Sequence, residues 1–503
     1  MTDRPNRDAW EPILSQLEQR RASSREMGGA ERVGRHHERG KLDARQRIVA
    51  LFDAGTFAEL GAFTGAADTP ADALVAGLGR IDGRPVLAGV EDFTVLGGSI
   101  GTGAADKRYR LAQLARQERV PLVFMLEGAG HRLTNKPSGR KPNDLQALAE
   151  LSGLVPMVCL VLGPSAGHGA LTAPLSDFVV MTPDSQLFSA GPPLVKEAIG
   201  EDVTKEDLGG PQVHVETSGV AHNLAADDSD AIATARRYLS YFPANAWTAP
   251  PRADGAPDTG PRRLDDLLDV IPPNPRRPYS MRTVVDRFVD EGSCFEVQPQ
   301  YGTAIVTALA RLGGRSVAIV ANDPSVRAGT VDTAAAEKAA HFLDVAGAFH
   351  LPCVFLADNP GVMAGTQAEQ AGALRAVARM FASQHRLRGP KLHVTVRKAF
   401  GFGSSIMGMN PFDGQTISLT FPAITLGALP ASSGAASAKL TDEEAAAIAA
   451  EQSAAAFRSA SGMGYDDVID PRDLRNALLH GLTLSENRAS GPFRPVRHVG
   501  ISP

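Results

Sequence analysis

Residues 162–170, LGPSAGHGA, combine two residue patterns that can carry chemistry. Gly163, Ser165 and Gly167 match the G-x-S-x-G pattern of hydrolases, in which the serine is a nucleophile on a sharp turn between a strand and a helix. Alternatively, the backbone N–H groups of Gly167 and His168 could hold a developing oxyanion, because glycine lets the chain turn so that amides converge on one ligand atom. In a chain with 50 glycines the pattern alone does not decide between them.

An internal repeat separates the two possibilities. Residues 160–170 align with residues 394–404 at an offset of 234 (394 − 160), so that Gly167 falls on Gly401 and His168 on Phe402. Ser165 falls on Ala399. Because the second copy keeps the glycine and lacks the hydroxyl, the repeat favours backbone chemistry over a serine nucleophile.

The repeat extends well beyond this turn. Residues 83–107 align without a gap with residues 314–338, at an offset of 231 (314 − 83), and Gly98 then falls on Gly329. Each copy reads as an apolar strand, a glycine loop, an alanine-rich helix, a proline-led strand and a second glycine loop. This alternation predicts an α/β architecture built from two related domains.

A glycine loop between a strand and a helix exposes backbone N–H groups at the positive end of the helix. The candidate donors are Gly98 and the Gly167–His168 pair in the first copy, and Gly329 with Phe402 and Gly403 in the second. The alternative is that these glycines only allow tight turns or close packing of the chain.

The predicted domains are residues 1–250, with a helical N-terminal arm, and residues 281–503. Between them, residues 251–280 are dense in proline and arginine, which predicts a linker. Near the C-terminus, Thr441 and Glu444 have the spacing of a capping box and predict the start of a helix.

Composition narrows the class of protein. With 43% hydrophobic and 21% charged residues and a net charge of −5, the 503-residue chain is predicted to be a globular cytoplasmic enzyme. This charge argues against a nucleic-acid binder but leaves room for a local basic pocket for a phosphorylated ligand. The longest charge-free run, residues 151–176, contains prolines, glycines and a histidine, which favours a buried strand, loop and helix over a membrane span. No C-x-x-C pair or metal-ligand spacing is present, so no metal is expected.

Several longer segments carry a family resemblance: DFTVLGGSIG from Asp92, GEDVTKEDLGGPQVHVETSGVAH from Gly200, and GYDDVIDP from Gly464. From Arg39 to the C-terminus, the chain resembles the carboxyltransferase (beta) subunit of biotin-dependent acyl-CoA carboxylases, of the propionyl-CoA carboxylase type. This resemblance implies two tandem domains of the crotonase-like (ClpP/crotonase) superfamily.

The resemblance also implies a reaction. A carboxyl group moves from carboxybiotin to the α-carbon of an acyl-CoA through an enolate, and biotin itself supplies the base. Gly167 and His168 would then hold the thioester oxygen, and Phe402 and Gly403 the ureido oxygen of biotin. By the same resemblance Gly98 and Gly329 are second-rank candidates. Ser404 and Ser405 replace residues that commonly shape the acyl pocket.

The chain contains no Ala-Met-Lys-Met segment for biotin attachment and no Walker loop for ATP. The resemblance therefore implies a separate biotin carboxylase/biotin carrier (alpha) subunit. Because the family's active site is shared between subunits, it also implies a homo-oligomer, commonly a hexamer.

Two departures from the family leave the identity of the substrate's acyl group undetermined, and propionyl-CoA is taken as the default substrate. Where two small residues are usual, this chain has Gly-His and Gly-Phe. His168 could hydrogen-bond a polar acyl group, act as an acid or base, or simply bond a backbone carbonyl. A decarboxylase of the malonyl or methylmalonyl type on the same fold, or a divergent member with reduced activity, are the alternatives.

Overall fold

A computed structural model describes residues 5–66, 68–135, 143–253, 258–488 and 492–496. The chain divides into two compact units, residues 1–237 and residues 238–502. The predicted boundary at 250 and the linker 251–280, of which 254–257 lie outside the described residues, stay predictions. Within the second unit, Leu264, Leu267 and Ile271 are buried in the hydrophobic core.

The first unit begins with the helical arm expected from the sequence and continues as alternating strands and helices. Its strands are β1 (Ala58–Leu60), β2 (Leu74–Ile81), β3 (Arg84–Glu91), β4 (Leu122–Gly128), β5 (Met157–Ala166), β6 (Phe178–Met181), β7 (Gln186–Phe188) and β8 (Asn223–Leu224). Its helices are α1 (Pro5–Arg25), α2 (Ala30–His37), α3 (Ala44–Leu51), α4 (Thr102–Glu118), α5 (Asp144–Ala149), α6 (Pro192–Ile199) and α7 (Lys205–Gly209). Helix α8 (Asp228–Ser240) begins in this unit and ends three residues past its boundary at 237.

One sheet organises this unit, with strand order β1-β2-β3-β4-β5-β6-β8 and β7 paired to the end of β5. The β1–β2 and β2–β3 pairs are antiparallel, whereas β3, β4, β5, β6 and β8 run parallel. Strands β4 and β5 are buried almost throughout, as continuous apolar runs in a covered parallel sheet require. The parallel strands bring the loops that follow β3, β4 and β5 to one edge of the sheet.

The second unit repeats this plan. Its strands are β9 (Phe295–Val297), β10 (Ile305–Leu312), β11 (Arg315–Asn322), β12 (Cys353–Asn359), β13 (Lys391–Phe400), β14 (Ile417–Thr420), β15 (Thr425–Gly427) and β16 (Asp467–Val468). Its helices are α9 (Leu267–Val270), α10 (Met281–Phe288), α11 (Thr333–Ala348), α12 (Thr366–Gln370), α13 (Ala373–Arg386), α14 (Gly401–Ser405), α15 (Ala431–Ala438), α16 (Asp442–Ser453), α17 (Ala455–Ser461) and α18 (Leu474–Leu484).

The strand order of the second sheet, β9-β10-β11-β12-β13-β14-β16 with β15 paired to β13, matches that of the first strand for strand. Even an isolated parallel bridge recurs, between Ile100 and His131 in one unit and between Val331 and Val362 in the other, at the offset of 231 (331 − 100 and 362 − 131). The predicted fold of two duplicated α/β domains with a helical arm is therefore confirmed.

Two local predictions are also met. Thr441 and Glu444 form the reciprocal capping box that begins α16. Ser165 lies inside β5, fully buried, rather than on an exposed turn, which removes the geometry that a nucleophile needs.

The charge-free run 151–176 differs in part from its prediction. The part after β5 forms a 3-10 turn at Gly169–Thr172, where a helix was expected. Among the described residues, no helix is both long and apolar enough to span a bilayer.

Candidate functional site

In the first unit the candidate site is the turn that leaves β5. Gly167 takes a positive φ of 60°, which reverses the chain, and its N–H donates to the carbonyl oxygen of Phe188 at 3.0 Å. His168 follows at the start of the 3-10 turn. Its N–H makes no hydrogen bond to any residue that the structure describes. Of the two predicted donors, the amide of His168 is thus the one available to a ligand.

The side chain of His168 is held by a carboxylate rather than by a backbone carbonyl. Its Nε2 lies 2.5 Å from Oδ1 of Asp144, the first residue of α5. The other oxygen, Oδ2, accepts a hydrogen bond of 2.7 Å from Nε of Arg108, which lies on α4 and is fully buried. The imidazole itself remains 22% exposed. A buried arginine therefore fixes the carboxylate, and the carboxylate fixes an accessible imidazole.

The charges of this cluster favour an ionised carboxylate. Burial would raise the pKa of Asp144, but the hydrogen bond from His168 and the charge of Arg108 outweigh it and bring the pKa to about 2. The ring of His131 stands edge-on to that of His168, with centroids 4.7 Å apart. Partial burial and the neighbouring His168 lower the pKa of His131, which favours the neutral imidazole.

The equivalent turn in the second unit leaves β13. Gly401 again takes a positive φ, of 55°, and begins the short helix α14. Phe402 is 55% exposed, in contrast to the carboxylate-bound His168. A Cβ atom on Gly403 would stand 2.6 Å from Oδ1 of Asn359 and 2.8 Å from the Cα of Gly361. Only glycine therefore fits at 403, and the backbone there lies directly against the end of β12.

Gly98 and Gly329 occupy the same place in the two units. Each N–H donates a hydrogen bond within its own turn. That of Gly98 donates to the carbonyl oxygen of Val95 at 3.0 Å, and that of Gly329 to the carbonyl oxygen of Val326 at 2.9 Å. A Cβ atom on either glycine would lie 2.1 or 2.2 Å from a carbonyl oxygen at the end of β4 or β12. These two glycines are thus needed for close approach of the chain, and whether they also assist an oxyanion stays a prediction.

The two serines after Gly403 lie in the same short helix. The Oγ of Ser404 is directed inward and donates to the carbonyl oxygen of Gly401 at 2.6 Å, so it closes the turn. Ser405 is half-buried at the end of α14. Their predicted part in an acyl pocket stays a prediction.

A basic cavity lies beside the glycine loop that follows β3. It has a volume of about 310 Å³ and is lined by Arg32, Arg35, His36, Arg39, Phe93, Thr94, Leu96 and Gly97. Three arginines from the N-terminal arm around one opening would attract an anion. The net charge alone does not locate this pocket, but the segment RVGRHHERG (32–40) already places its arginines close together in the sequence. No group of three or more His, Cys, Asp or Glu side chains suited to a metal ion occurs in the described part of the chain.

Comparison with known proteins gives one consistent result. Residues 35–499 match the family described as "Carboxyl transferase domain". The chain is 34% identical over 508 residues to the carboxyltransferase subunit of propionyl-CoA carboxylase from Haloferax mediterranei, covering 96% of this chain and 98% of the relative. It is also 34% identical over 513 residues to the alpha subunit of methylmalonyl-CoA decarboxylase from Veillonella parvula, covering 96% and 98%. A crystal structure of transcarboxylase 12S, determined as a hexamer assembly with methylmalonyl-CoA and methylmalonic acid bound, superposes with a TM-score of 0.90 at 34% identity, over 98% of this chain and 99% of the other.

Proposed function

The chain belongs to the carboxyl transferase domain family, and on that basis we propose that it moves a carboxyl group from carboxybiotin to the α-carbon of a short acyl-CoA, with propionyl-CoA as the default substrate. It is the carboxyltransferase component of a biotin-dependent acyl-CoA carboxylase. The observation that carries the proposal is the duplicated turn, because in both units a buried strand is followed by a glycine with positive φ that reverses the chain.

In this proposal the first unit takes the thioester. The N–H of His168 donates to the thioester oxygen as charge develops on it, and Gly167 supplies the turn that aims this amide. The arginines around the cavity at Gly97 bind the phosphates of coenzyme A.

The second unit takes the cofactor. When bound, biotin supplies the carboxyl group and a ureido nitrogen that acts as base. Gly403 packs so closely against Asn359 and Gly361 that a Cβ atom would collide with them, so the position of its amide depends on glycine at this point. The amides of Phe402 and Gly403 donate to the ureido oxygen, and Ser404 and Ser405 border the acyl end.

Biotin is proposed to be carried by a separate biotin carboxylase/biotin carrier subunit, in the cytoplasm. The relative solved as a hexamer assembly supports a homo-oligomer of that size for this chain as well. Sharing the site between copies would bring a first unit and a second unit of different chains to one substrate.

A decarboxylase is the second candidate, because the relative from Veillonella parvula is named as one and is equally similar to this chain. The two activities need the same enolate and differ in the direction of carboxyl flow.

The test supplies the purified chain with its biotin-loaded partner, ATP, labelled bicarbonate and a panel of acyl-CoA thioesters. We expect label on the α-carboxyl group of a short acyl-CoA, strictly dependent on the partner and on ATP. A second arm, with malonyl- or methylmalonyl-CoA and unloaded biotin carrier, measures release of CO2. Decarboxylation in the second arm without labelling in the first would favour the second candidate, and silence in both arms would refute the proposed function.

A further inference from the structure

We propose that Asp72 and Arg132 are positioning residues for carboxyl transfer, because their salt bridge holds two loops of the first unit in place. The loops are residues 97–101, which follow β3, and residues 129–132, which follow β4. The inference rests on the proposed function, in which the first unit takes the thioester. It deepens that function by assigning the placement of the thioester-side turn to two side chains outside the turn.

The salt bridge joins both loops to the 3-10 turn that precedes β2. Nη1 of Arg132 donates to Oδ1 of Asp72 at 2.7 Å. Nε and Nη2 of the same guanidinium donate to Oγ and to the carbonyl oxygen of Ser99, at 3.2 and 3.0 Å. The side chains of Arg132 and Asp72 are only 15% and 5% exposed, so water competes little for these hydrogen bonds. One arginine thus fixes the loop after β4 to the loop after β3.

The other oxygen of Asp72 caps helix α4. Oδ2 accepts the N–H of Ala104, in the first turn of the helix, at 2.8 Å, and a carboxylate is favoured at this positive end. Such caps normally come from the N-cap residue itself. Here the N-cap is Gly101, where a Cβ atom would lie 2.2 Å from Oδ1 of Asp72. The start of α4, the helix that carries Arg108, is therefore set by a carboxylate from a distant part of the chain.

The backbone that carries Asp72 is strained. Ala71, Asp72 and Ala73 have φ of 50°, 47° and 60°, a left-handed conformation that is unfavourable for residues with a Cβ atom. Strain of this kind persists where the surrounding contacts over-determine the backbone. The contacts here are those of Asp72 and of the buried Lys107, which donates to the carbonyl oxygens of Ala71 and Leu74. The strained turn is thus held in the conformation that directs the carboxylate to Arg132 and α4.

The second unit keeps the backbone contact between the two loops without the salt bridge. By the offset of 231, Arg132 corresponds to Met363, which carries no charge (363 − 132). The N–H of Met363 still donates to the carbonyl oxygen of Val331 at 2.8 Å. In the first unit the N–H of Arg132 donates in the same way to Ile100 at 3.0 Å. The fold therefore forms this loop pair without an arginine, and the side-chain contacts are an addition of the first unit.

The helix cap differs between the units in the same sense. Helix α11 has an N-cap of its own, Asp332, whose side chain accepts the N–H of Ala335. Ala335 is the counterpart of Ala104 at the offset of 231 (335 − 104). The same amide is thus capped locally in the second unit and by Asp72 in the first. A local cap would satisfy the helix equally well, so the distant carboxylate is explained by what else it holds, which is Arg132.

These contacts reach the turn of His168 from two directions. His131 lies next to Arg132 in the loop after β4, and its ring stands edge-on to that of His168, with centroids 4.7 Å apart. Arg108, on α4, holds the carboxylate of Asp144, which in turn binds the ring of His168. Loss of the salt bridge therefore loosens both supports of the turn while the core stays packed. A displacement of about 1 Å at a reacting centre is enough to cost about 100-fold in rate.

The experiment measures carboxyl transfer by the full-length protein with its biotin-loaded partner, and binding of propionyl-CoA by calorimetry. Arg132→Met, the residue type found in the second unit, should lower kcat by about 100-fold, while the Kd for propionyl-CoA and the KM for the partner change by less than about threefold. Arg132→Lys keeps the charge and one contact with Asp72, so it should recover about 10-fold of this loss. Thr303→Ala, at the position of Asp72 in the second unit (303 − 231), is the matched control and should transfer like the wild type.

A double-mutant cycle tests whether the two residues act as a unit. Asp72→Asn should lower kcat by about 10- to 100-fold, and the double variant Asp72→Asn/Arg132→Met should be no slower than Arg132→Met alone. Hydrogen exchange followed by mass spectrometry gives a readout independent of activity. It should be faster in residues 97–104 of these variants and unchanged in the equivalent residues 328–335. A merely structural role would instead lower the melting temperature and speed exchange throughout the first unit, without separating kcat from binding.

The inference is overturned if Arg132→Met transfers within about threefold of the wild type, if kcat and binding fall together, or if exchange in residues 97–104 stays unchanged. Should Arg132→Met fail to fold, Arg132→Lys and Asp72→Asn are judged by the same three criteria. Wild-type protein that carboxylates no acyl-CoA refutes the proposed function and this inference with it. Normal transfer by both the wild type and the variants refutes this inference alone.

Discussion

The two units build the same turn on different supports. In the first, the residues behind the turn are charged: Glu91 and Asp144 contact Arg108, and Asp144 holds His168. In the second, Asp358 pairs with Arg397 and Lys398, but the residue that corresponds to Glu91 is the neutral Asn322, whose Oδ1 accepts from the side-chain amide of Asn359 at 3.0 Å. The backbone geometry has been kept through the duplication while the chemistry behind it has diverged.

One pair of residues explains how this divergence is possible. Oε2 of Glu91 accepts the N–H of Glu127 at 2.9 Å, and Oδ1 of Asn322 accepts the N–H of Asp358 at 3.2 Å, at the offset of 231 (322 − 91). The carboxylate oxygen of Glu91 and the amide oxygen of Asn322 thus accept equivalent backbone hydrogen bonds in the two units. Only the carboxylate needs a cation, and the residue that corresponds to Arg108 in the second unit is Ala339 (339 − 231).

The largest expected effect tests whether the two turns tolerate a side chain equally. Gly403→Ala should reduce carboxyl transfer by about 1,000-fold, roughly 4 kcal/mol, because its Cβ would collide with Asn359 and Gly361 and displace the amides of the turn. The measurement is the labelled-bicarbonate assay with the biotin-loaded partner.

The matched control is Gly169→Ala, the same position in the first unit (403 − 234). Its Cβ would meet Oε1 of Glu91 at 3.4 Å and Cδ1 of Ile100 at 3.5 Å, which are ordinary contacts. Activity within a few fold of the wild type is expected. Equal losses in both variants, with both proteins still folded by circular dichroism, would contradict the contrast between the turns.

The second prediction exchanges the carboxylate at position 91 and the amide at position 322. Asn322→Asp should destabilise the protein by about 3 kcal/mol, since it buries a carboxylate where no counterpart of Arg108 is present. Glu91→Gln, the converse change, keeps the acceptor for the N–H of Glu127 and should cost only about 1 kcal/mol. Chemical denaturation measures both, and a larger loss in Glu91→Gln than in Asn322→Asp would refute this account of the divergence.

The duplication and the two turns could be predicted from the sequence because glycines keep their register wherever the backbone approaches itself closely. Gly98 and Gly329 are an example, since each lies against a carbonyl oxygen of the neighbouring strand. Because the chain is duplicated, the need for glycine at such a position can be recognised in a single sequence, where the glycine recurs at the same place in both copies.

The charged support could not be predicted in this way. Asp144 is 24 residues before His168 (168 − 144) and reaches it only because α5 precedes β5 and the loops of parallel strands share one edge. Arg108 corresponds to Ala339, so the repeat conceals it. Likewise, the N–H of Gly167 is used by Phe188 because β7 returns beside β5, a pairing with no local signal.

The third prediction concerns a lysine that both units keep. Lys107 and Lys338 are buried and donate to backbone carbonyl oxygens, those of Ala71 and Leu74 in the first unit and of Gln298 and Tyr301 in the second. Removing the donors leaves buried carbonyl groups without a partner, so Lys338→Met should cost about 2 kcal/mol at pH 9.

The effect should depend on pH with a definite sign. Burial lowers the pKa of Lys338 to about 7 from its ordinary 10.5. Between these values the unfolded chain holds a proton that the folded chain releases, so the stability due to the neutral lysine rises with pH. The cost of Lys338→Met is therefore smaller at pH 7 than at pH 9. Lys107→Met should follow the same direction more weakly, because burial lowers the pKa of Lys107 only to about 8. A cost that falls as pH rises would refute this assignment.

The smallest expected effect tests whether coenzyme A binds to the first unit and biotin to the second. Because Arg35 and Arg39 line the basic cavity of the first unit and are exposed, the double variant Arg35→Ala/Arg39→Ala should weaken binding of propionyl-CoA by about 5- to 10-fold, roughly 1 kcal/mol, at low salt. Added salt should narrow the difference, since exposed charges are screened. The proposed biotin contacts lie in the second unit, so the KM for the biotin-loaded partner should stay unchanged. If the double variant instead raised that KM and bound propionyl-CoA normally in calorimetry, the assignment of coenzyme A to the first unit would have to be reversed.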